Sequence, residues 1–543
     1  MPDRETRPTR PRIAIIAVAF CALAFLSALG YLALALHYES LKPNPTTDRF
    51  AAMLAELPPC PPAESAWHAY MDAMHPRHLG EDETSETNMT RTDFVIDKAL
   101  RTRLEDSWCA VHDGTFWSVY HTAEAAQTSR EAVASGAADE LMTIMLERFA
   151  PTRAALVEAS KVPVFGVRAP TRSDARSVAF LGDGFISYYP EFPEAEIGLA
   201  ETRWLRNIAG VLDLDATHAL SNGDAERALV DIETIARMAR HADEVRSQVG
   251  QLQSLTLRAK VWGLIGAGVS RQPALWSDAQ LARLEAALAS TDARDHELDL
   301  AWEEAYFEAA ASRYYSDDGA GDGVLIFKAV MRSLRDTRNE QSNPYWDMAV
   351  TLMTPWYVWR APSRAELTRD FEAHLDSMRA RMAMPLWKRQ RSTSERFIEE
   401  LTSQPLRPIS DPVGVLVFSR LDRAIDTLAW TAHRDGARLA LVIERFRRKF
   451  GRLPETMDEL LAFAREQKLE GPPAPWGLAP LTTDTQSGKP YRLEIVAAED
   501  GSPSRRVEIW SDGPQDSELA DELWTTEKGF RVVPPHPRPG ERE

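Results

Sequence analysis

Ala216-Thr217-His218-Ala219-Leu220-Ser221-Asn222-Gly223-Asp224-Ala225-Glu226-Arg227-Ala228-Leu229 reads as the end of one helix, a tight turn and the start of another. Gly223 can take the left-handed conformation that ends a helix, and Asp224 offers a side-chain acceptor to cap the next one. Ala216, Ala219 and Ala228 are small enough to let two antiparallel helices approach, and Leu229, Ile232 and Ile235 continue the apolar face.

The same period extends outward from this pair. It predicts helices over 139–149, 201–220, 225–242, 249–265, 277–289 and 301–311, within a helical body spanning 64–410. The hairpin resembles a single tetratricopeptide-type unit. No second copy follows at the spacing of about 34 residues that such an array requires, so the expectation is a body with solenoid-like hairpins. Segment 161–193 breaks the period with Pro163, Pro170, Gly182-Asp183-Gly184, Tyr188-Tyr189-Pro190 and Pro193. It reads as a long ordered loop that caps a core or lines a groove.

Upstream, an uncharged apolar run begins at Ile13 and ends at Leu36 (13–36), preceded by Arg4, Arg7, Arg10 and Arg12. At a helical rise the run is about 36 Å long, enough to cross a hydrocarbon core of about 30 Å. The arginines of segment 1–12 favour the cytoplasmic side, which sends everything after His37 across the membrane. Ala33-Leu34-Ala35 has the small-residue pattern of a signal-peptidase site. The apolar stretch before it exceeds the roughly 7–15 residues of a signal sequence, so an uncleaved single-pass anchor is the preferred reading and cleavage the alternative. A linker, 37–63, follows, with Lys42-Pro43-Asn44-Pro45 at its start and Pro58-Pro59-Cys60-Pro61-Pro62 as a helix-breaking boundary.

The chain has 543 residues, 44% of them hydrophobic, with 15 tryptophans and a formal net charge of −18. That composition suits a large packed core and argues against disorder. The acidic balance disfavours nucleic acid as a partner. It also leaves attachment to lipid to the segment 13–36. The three cysteines are too few for a disulfide scaffold or a zinc cluster. Cys60 and Cys109 both follow the anchor and would form one bridge in an oxidising compartment; two buried thiols are the alternative reading.

The C-terminal part, 411–533, changes character. Segment 420–450 reads as one long helix or two in series, on which Leu439, Val442, Ile443, Phe446 and Phe450 form an apolar stripe. Arg445, Arg447, Arg448 and Lys449 crowd its C-terminal turns, where the helix dipole favours cations, and Gly451 ends it. Thr456 and Glu459 make a capping box for a short helix reaching about residue 467. Runs 491–496 and 507–510 alternate apolar and polar residues around the turn Glu499-Asp500-Gly501-Ser502-Pro503, which predicts a β-hairpin. A further strand is expected at 530–533, and 534–543 reads as a disordered tail.

The run Arg438-Leu439-Ala440-Leu441-Val442-Ile443-Glu444-Arg445-Phe446 is followed by Gly451-Arg452-Leu453-Pro454 and Met457-Asp458-Glu459-Leu460. These stretches are similar to the helix and G-x-x-P element of type II secretion pseudopilins. Asp484-Thr485-Gln486-Ser487-Gly488-Lys489-Pro490-Tyr491 resembles their turn into the sheet, and Trp510-Ser511-Asp512-Gly513-Pro514-Gln515-Asp516 resembles their strand end. The pseudopilin processing site is missing, and hundreds of residues separate anchor from sheet. The layout as a whole, a helical body followed by this head, looks like uncharacterised bacterial envelope proteins. The resemblance implies a small α+β head and a place in the bacterial inner membrane, with the bulk of the chain periplasmic. It also implies a calcium-binding loop, for which Asp512, Asp516 and Asp521 are the matching carboxylates; a solvated acidic turn is the favoured alternative.

Other chemistry is thinly represented. Asp317-Asp318-Gly319-Ala320-Gly321-Asp322-Gly323 begins like an EF-hand loop, but Ala329 stands where the bidentate glutamate belongs. Asp183, Glu303 and Glu304 are the carboxylates nearest to aromatic-rich stretches. Adjacent Glu303 and Glu304 project about 100° apart on a helix, which disfavours a shared dyad. H-E-x-x-H, G-x-S-x-G, Walker and G-x-G-x-x-G patterns are absent from the sequence. The expectation is therefore a mainly α protein that binds or assembles with a protein partner in the envelope, without catalysis or cofactor. An accessory part of a secretion or pilus-like machine, and an envelope hydrolase, are the alternatives.

Overall fold

The computed structural model describes residues 10–43, 49–56, 60–74, 139–167, 176–177, 199–292, 300–317, 322–336, 344–384, 431–471, 481–482, 488–497, 505–511, 525–526 and 529–531. The protein is mainly helical, with one N-terminal apolar helix and a small antiparallel sheet near the C-terminus.

Helix α1 (Arg10–Ser40) contains the apolar run. The next two helices are short, α2 (Arg49–Ala55) and α3 (Ala66–Ala73). Ser65 caps α3, its hydroxyl accepting from the His68 amide. The first amides of α3 have no acceptor within their own helix. Here Ala66 N–H donates to Val164 O (2.8 Å) and Trp67 N–H to Phe165 O (3.0 Å), so the chain just after α4 (Asp139–Ser160) closes that end. Helix α4 runs eleven residues past the expected 149 and carries Pro151 inside it.

The hairpin α5 (Leu199–Ser221) and α6 (Ala225–Asp243) forms as its sequence predicts. Gly223 sits at φ +78°, its amide donates to Leu220 O (3.1 Å), and the Asp224 amide donates to Ala219 O (2.8 Å). That is the paired-bond helix ending that needs a glycine at this position. The Asp224 carboxylate accepts from the Arg227 amide and starts α6. Ala216, Ala219, Ala228, Leu229, Ile232 and Ile235 are all buried between the two helices and their neighbours. Helix α7 (Gln248–Arg271), capped by Ser247, packs on both, and α8 (Asp278–Asp292) lies against α6.

A second set of helices follows: α9 (Leu300–Tyr314), α10 (Phe327–Asp336), α11 (Pro344–Arg360) and α12 (Arg364–Met382). They enclose a separate core, against which Tyr38 of α1 and Met53 of α2 pack.

Helix α13 (Thr431–Phe450) belongs to two cores at once. Ala437, Ala440 and Leu441 join the core of α3–α8, while Leu439, Val442 and Phe446, on the opposite side, join Leu460, Phe463, Tyr491 and Ile509. Phe450, expected to complete the stripe, is 48% exposed. Arg445 reaches Glu285 (2.7 Å) and Arg448 reaches Asp278 (2.8 Å), so two of the four terminal cations clamp α13 onto α8. Helix α14 (Met457–Glu466) is capped by Thr456, which accepts from the Glu459 amide. The reciprocal bond differs from the expected box: the Glu459 carboxylate accepts from the Glu455 amide (2.8 Å) and pairs with Arg452. Arg452 lies beyond the helix and draws the carboxylate outward.

Strands β1 (Arg492–Ala497) and β2 (Arg505–Ser511) pair antiparallel, with Arg492 opposite Trp510 and Ile495 opposite Val507. The short strands β3 (Thr525–Thr526) and β4 (Gly529–Arg531) extend the sheet in the order β1-β2-β4-β3. The strand expected at 530–533 thus begins one residue earlier, and the part of it that is described ends at Arg531. The boundary at 410/411 and the segment 420–430 lie outside the described residues, as does the tail.

Candidate functional site

A cluster of charged and aromatic groups that reaches the surface lies between α9 and α12. Phe307 and Phe371, both buried, stack face to face with centroids 4.0 Å apart and planes 7° from parallel. Glu304 and Glu308, one turn apart on α9, rise beside this pair. Arg49 of α2 donates to both, at 3.1 Å and 2.7 Å, and Arg379 of α12 also binds Glu304. Three elements that meet nowhere in the sequence are thereby tied at one rim.

The groove above the stacked rings encloses about 350 Å³. Arg364, Thr368 and Glu372 line its other wall at successive turns of α12. Their spacing places a cation and an anion about 12 Å apart along the helix, with a hydroxyl between them. Among the described residues neither the Arg364 guanidinium nor the Glu372 carboxylate has a side-chain partner. Imidazole, thiol and thiolate are absent from the lining. The lining offers an aromatic floor, a donor fork at Arg364 and carboxylate acceptors at Glu304, Glu308 and Glu372.

A second polar constellation sits inside the α3–α8 core and was not anticipated from sequence. Asp215 of α5 and Asp231 of α6 are both fully buried, and Arg153 of α4 reaches them at 2.8 Å and 2.6 Å. Arg227 also binds Asp215, with its Nε at 3.0 Å from Oδ2. Burial, reinforced by the charge of Asp215, holds the Asp231 carboxyl well above the usual carboxylate range. Lys260 of α7 meets Asp213 at 3.0 Å. Nearby, His241 donates from Nε2 to Val162 O (2.8 Å), which can only accept, so Nδ1 is the acceptor for the Tyr70 hydroxyl (2.8 Å). Burial pulls the His241 pKa down to about 4. These groups face helices and fasten α3, α4, α5 and α6 together.

A third cluster marks the junction of body and head. Arg438 of α13 binds Asp292 at the end of α8, and the Tyr491 hydroxyl donates to Asp435 Oδ2 at 2.8 Å. All four side chains are buried. Burial lowers the Arg438 pKa to about 10.

Of the residues singled out in the sequence, Glu304 lies in the groove while its neighbour Glu303 is buried within α9, so the two carboxylates point apart. Cys60 is half-buried, close to Gly166 and Ser65, while Cys109 lies outside the described residues, so the proposed bridge has only one placed member. Asp183, Asp512, Asp516, Asp521 and most of 161–193 lie outside them too. Asp317 and Asp322 are placed; Asp318 is not. Among the described residues no group of three or more His, Cys, Asp and Glu side chains is arranged to hold a metal ion. Sequence reasoning reached Glu304 through its aromatic surroundings but missed Arg49, for which there was no signal, and Arg364 and Glu372, whose i, i+8 spacing on one helix was the only one. Comparisons with protein-family models, with curated proteins and with solved structures gave no match.

Proposed function

We propose that this chain is a membrane-anchored envelope protein that works by binding and assembly, with α1 crossing the inner membrane and the helical body in the periplasm. One observation carries the reading. Helix α1 offers an apolar span, Val18–Ser40, in which nearly every side chain from Val18 to Leu36 is exposed and Ala35 alone is buried. Such a helix left uncovered in water would be costly by roughly 25 cal/mol for each Å² exposed, and a bilayer removes that cost. The uncleaved form is supported by the contacts of its last turns. Ala35 is fully buried, and the Tyr31 hydroxyl donates to Leu352 O at 2.7 Å. Cleavage after Ala35 would remove Tyr31 and cut the helix at its packed residue.

The groove between α9 and α12 is the contact surface in this reading, and its occupant is a segment of a protein partner that meets Arg364 with an acid and Glu372 with a base. The head of α13, α14 and the sheet supplies a second contact, and its likeness to pseudopilins makes an accessory role in a secretion or pilus-like machine the second reading. The test is crosslinking in intact cells followed by recovery of the full chain from alkali-washed membranes, beside the doubly substituted Arg364→Ala/Glu372→Ala protein. We expect the chain in the membrane fraction, and a crosslinked partner that the double substitution removes without lowering the amount of protein. Release by alkali, or a C-terminal reporter active only in the cytosol, would overturn the anchor. Unchanged crosslinks in the double variant would overturn the groove.

A further inference from the structure

Helix α11 has apolar residues on both of its long faces. Val350, Tyr357 and Val358 are buried against the second core. On the opposite side Met348, Leu352, Met353, Trp356 and Trp359 form a stripe in which Met348 is 58% and Trp359 80% exposed. A helix that is apolar all round is ordinarily enclosed by protein or by lipid. The exposed stripe has no protein covering among the described residues, and its large side chains make a contiguous patch of the kind that marks an interaction surface.

The contacts with α1 say where this patch lies. The Tyr31 hydroxyl donates to Leu352 O, and the Thr351 hydroxyl donates to the Glu39 carboxylate. Tyr31 and Glu39 are eight residues apart, about 12 Å along α1, yet they meet neighbouring residues of α11. The helices therefore cross, and fully buried Ala35, midway between the two contacts, is the small residue at the crossing. Ala35 is next to Leu36, where the apolar run ends. Tyr31 lies within the apolar run, on one side of the crossing, and bonds the backbone carbonyl of Leu352, a residue whose side chain belongs to the exposed stripe. Glu39 is on the water side and meets polar Thr351. The exposed stripe of α11 therefore begins beside the end of the apolar run of α1.

We propose that α11 lies in the outer interface of the same bilayer, with the stripe from Met348 to Trp359 sunk among the upper acyl chains; the inference rests on α1 being the anchor. The composition fits that depth. Tryptophan is favoured at the headgroup level, and the Arg360 guanidinium lies over the Trp356 ring, 4.9 Å from its centroid, where it can reach lipid phosphate while its stem stays in apolar surroundings. The next helix, α12, turns polar residues such as Arg369, Asp370 and Glu372 to solvent. Continuity with α1 selects lipid over a second protein as the occupant. A helix held by Tyr31, Ala35 and Glu39 at the end of the apolar run has headgroups beside it before any partner arrives.

The test uses the full chain reconstituted into phosphatidylethanolamine–phosphatidylglycerol vesicles. Leu26→Cys, Trp359→Cys and Ala373→Cys are made singly in a background with Cys21, Cys60 and Cys109 changed to serine, and labelled with a polarity-sensitive fluorophore. Quenching is read with lipid spin-labelled near the headgroup or near the chain end. We expect the fluorophore at 359 to be quenched most by the shallow label, to an extent comparable with that at 26 by the deep label, while the one at 373 is unaffected. Quenching at 26 without quenching at 359 would overturn the inference and leave the anchor in place. The absence of quenching at both sites would overturn both. Equal quenching at 359 and 373 would show that the stripe does not set the orientation, which also overturns the inference. A fluorophore at 359 that is blue-shifted yet unquenched would mean protein covers the stripe, with the same consequence.

Discussion

The α3–α8 core and the α9–α12 core handle charge in opposite ways. In the first, Arg153, Asp215, Asp231, Lys260 and Asp213 are drawn inside and tie helices together. In the second, the interior is held by stacked rings, Phe307 on Phe371 and Phe327 on Tyr357, and the ion pairs of Arg49 and Arg379 stay at the rim. Buried charges contribute little net stability compared with a well-packed apolar alternative, but removing one member leaves its partner stranded. Rim charges keep their water and can be exchanged cheaply. The first core therefore ties its helices through buried charge, while the second keeps its ion pairs at the surface.

Arg153→Leu is the substitution that sets the two regions furthest apart. It leaves Asp215 with Arg227 alone and Asp231 with no guanidinium, and we expect a loss of about 3–5 kcal/mol in denaturant unfolding. A loss under about 1 kcal/mol would show that the buried network behaves like a rim pair.

The next effect is the pH response of His241. Its ordinary pKa is 6.5, and burial lowers it to about 4 in the folded protein. A group with a depressed folded pKa contributes stability that is present above pH 6.5 and lost as pH falls toward 4, here up to about 3 kcal/mol. Asp231, shifted upward, acts with the opposite sign: its contribution is present below pH 3.8 and is lost as pH rises toward its folded pKa. The measurement is therefore a difference, the pH profile of the natural chain minus that of His241→Gln. The difference should fall between pH 6.5 and 4; a flat one would place His241 in contact with water.

The smallest effect belongs to the rim. Arg379→Ala removes an exposed guanidinium while Arg49 keeps Glu304 and Glu308, and the expected change is within about 1 kcal/mol by thermal unfolding. A larger loss would make the groove's edge part of the second core and erase the contrast.

What the sequence revealed follows the same division between local and distant. The α5–α6 turn was legible because glycine, an acidic cap and small residues act within one helical turn of each other. The β1–β2 hairpin was legible because a period of two needs no partner to be seen. The double membership of α13 was hidden: Ala437, Ala440 and Leu441 look like filler beside the stronger stripe of Leu439, Val442 and Phe446. The pairing of Arg438 with Asp292 spans 146 residues and leaves no periodic trace. The groove combines α2, α9 and α12, so Glu304 could be noticed and its arginines could not. The second apolar face of α11 carries no meaning until α1 is laid across it.

Because α13 contributes one face to each of two cores, the sheet cannot swing on a flexible stalk. Tension applied to β1 or β2 would travel through Tyr491 and Asp435 into α13, and from there along Arg438 to Asp292 and into α8. The head is a lever riveted to the body, and a force on one end is borne by the other.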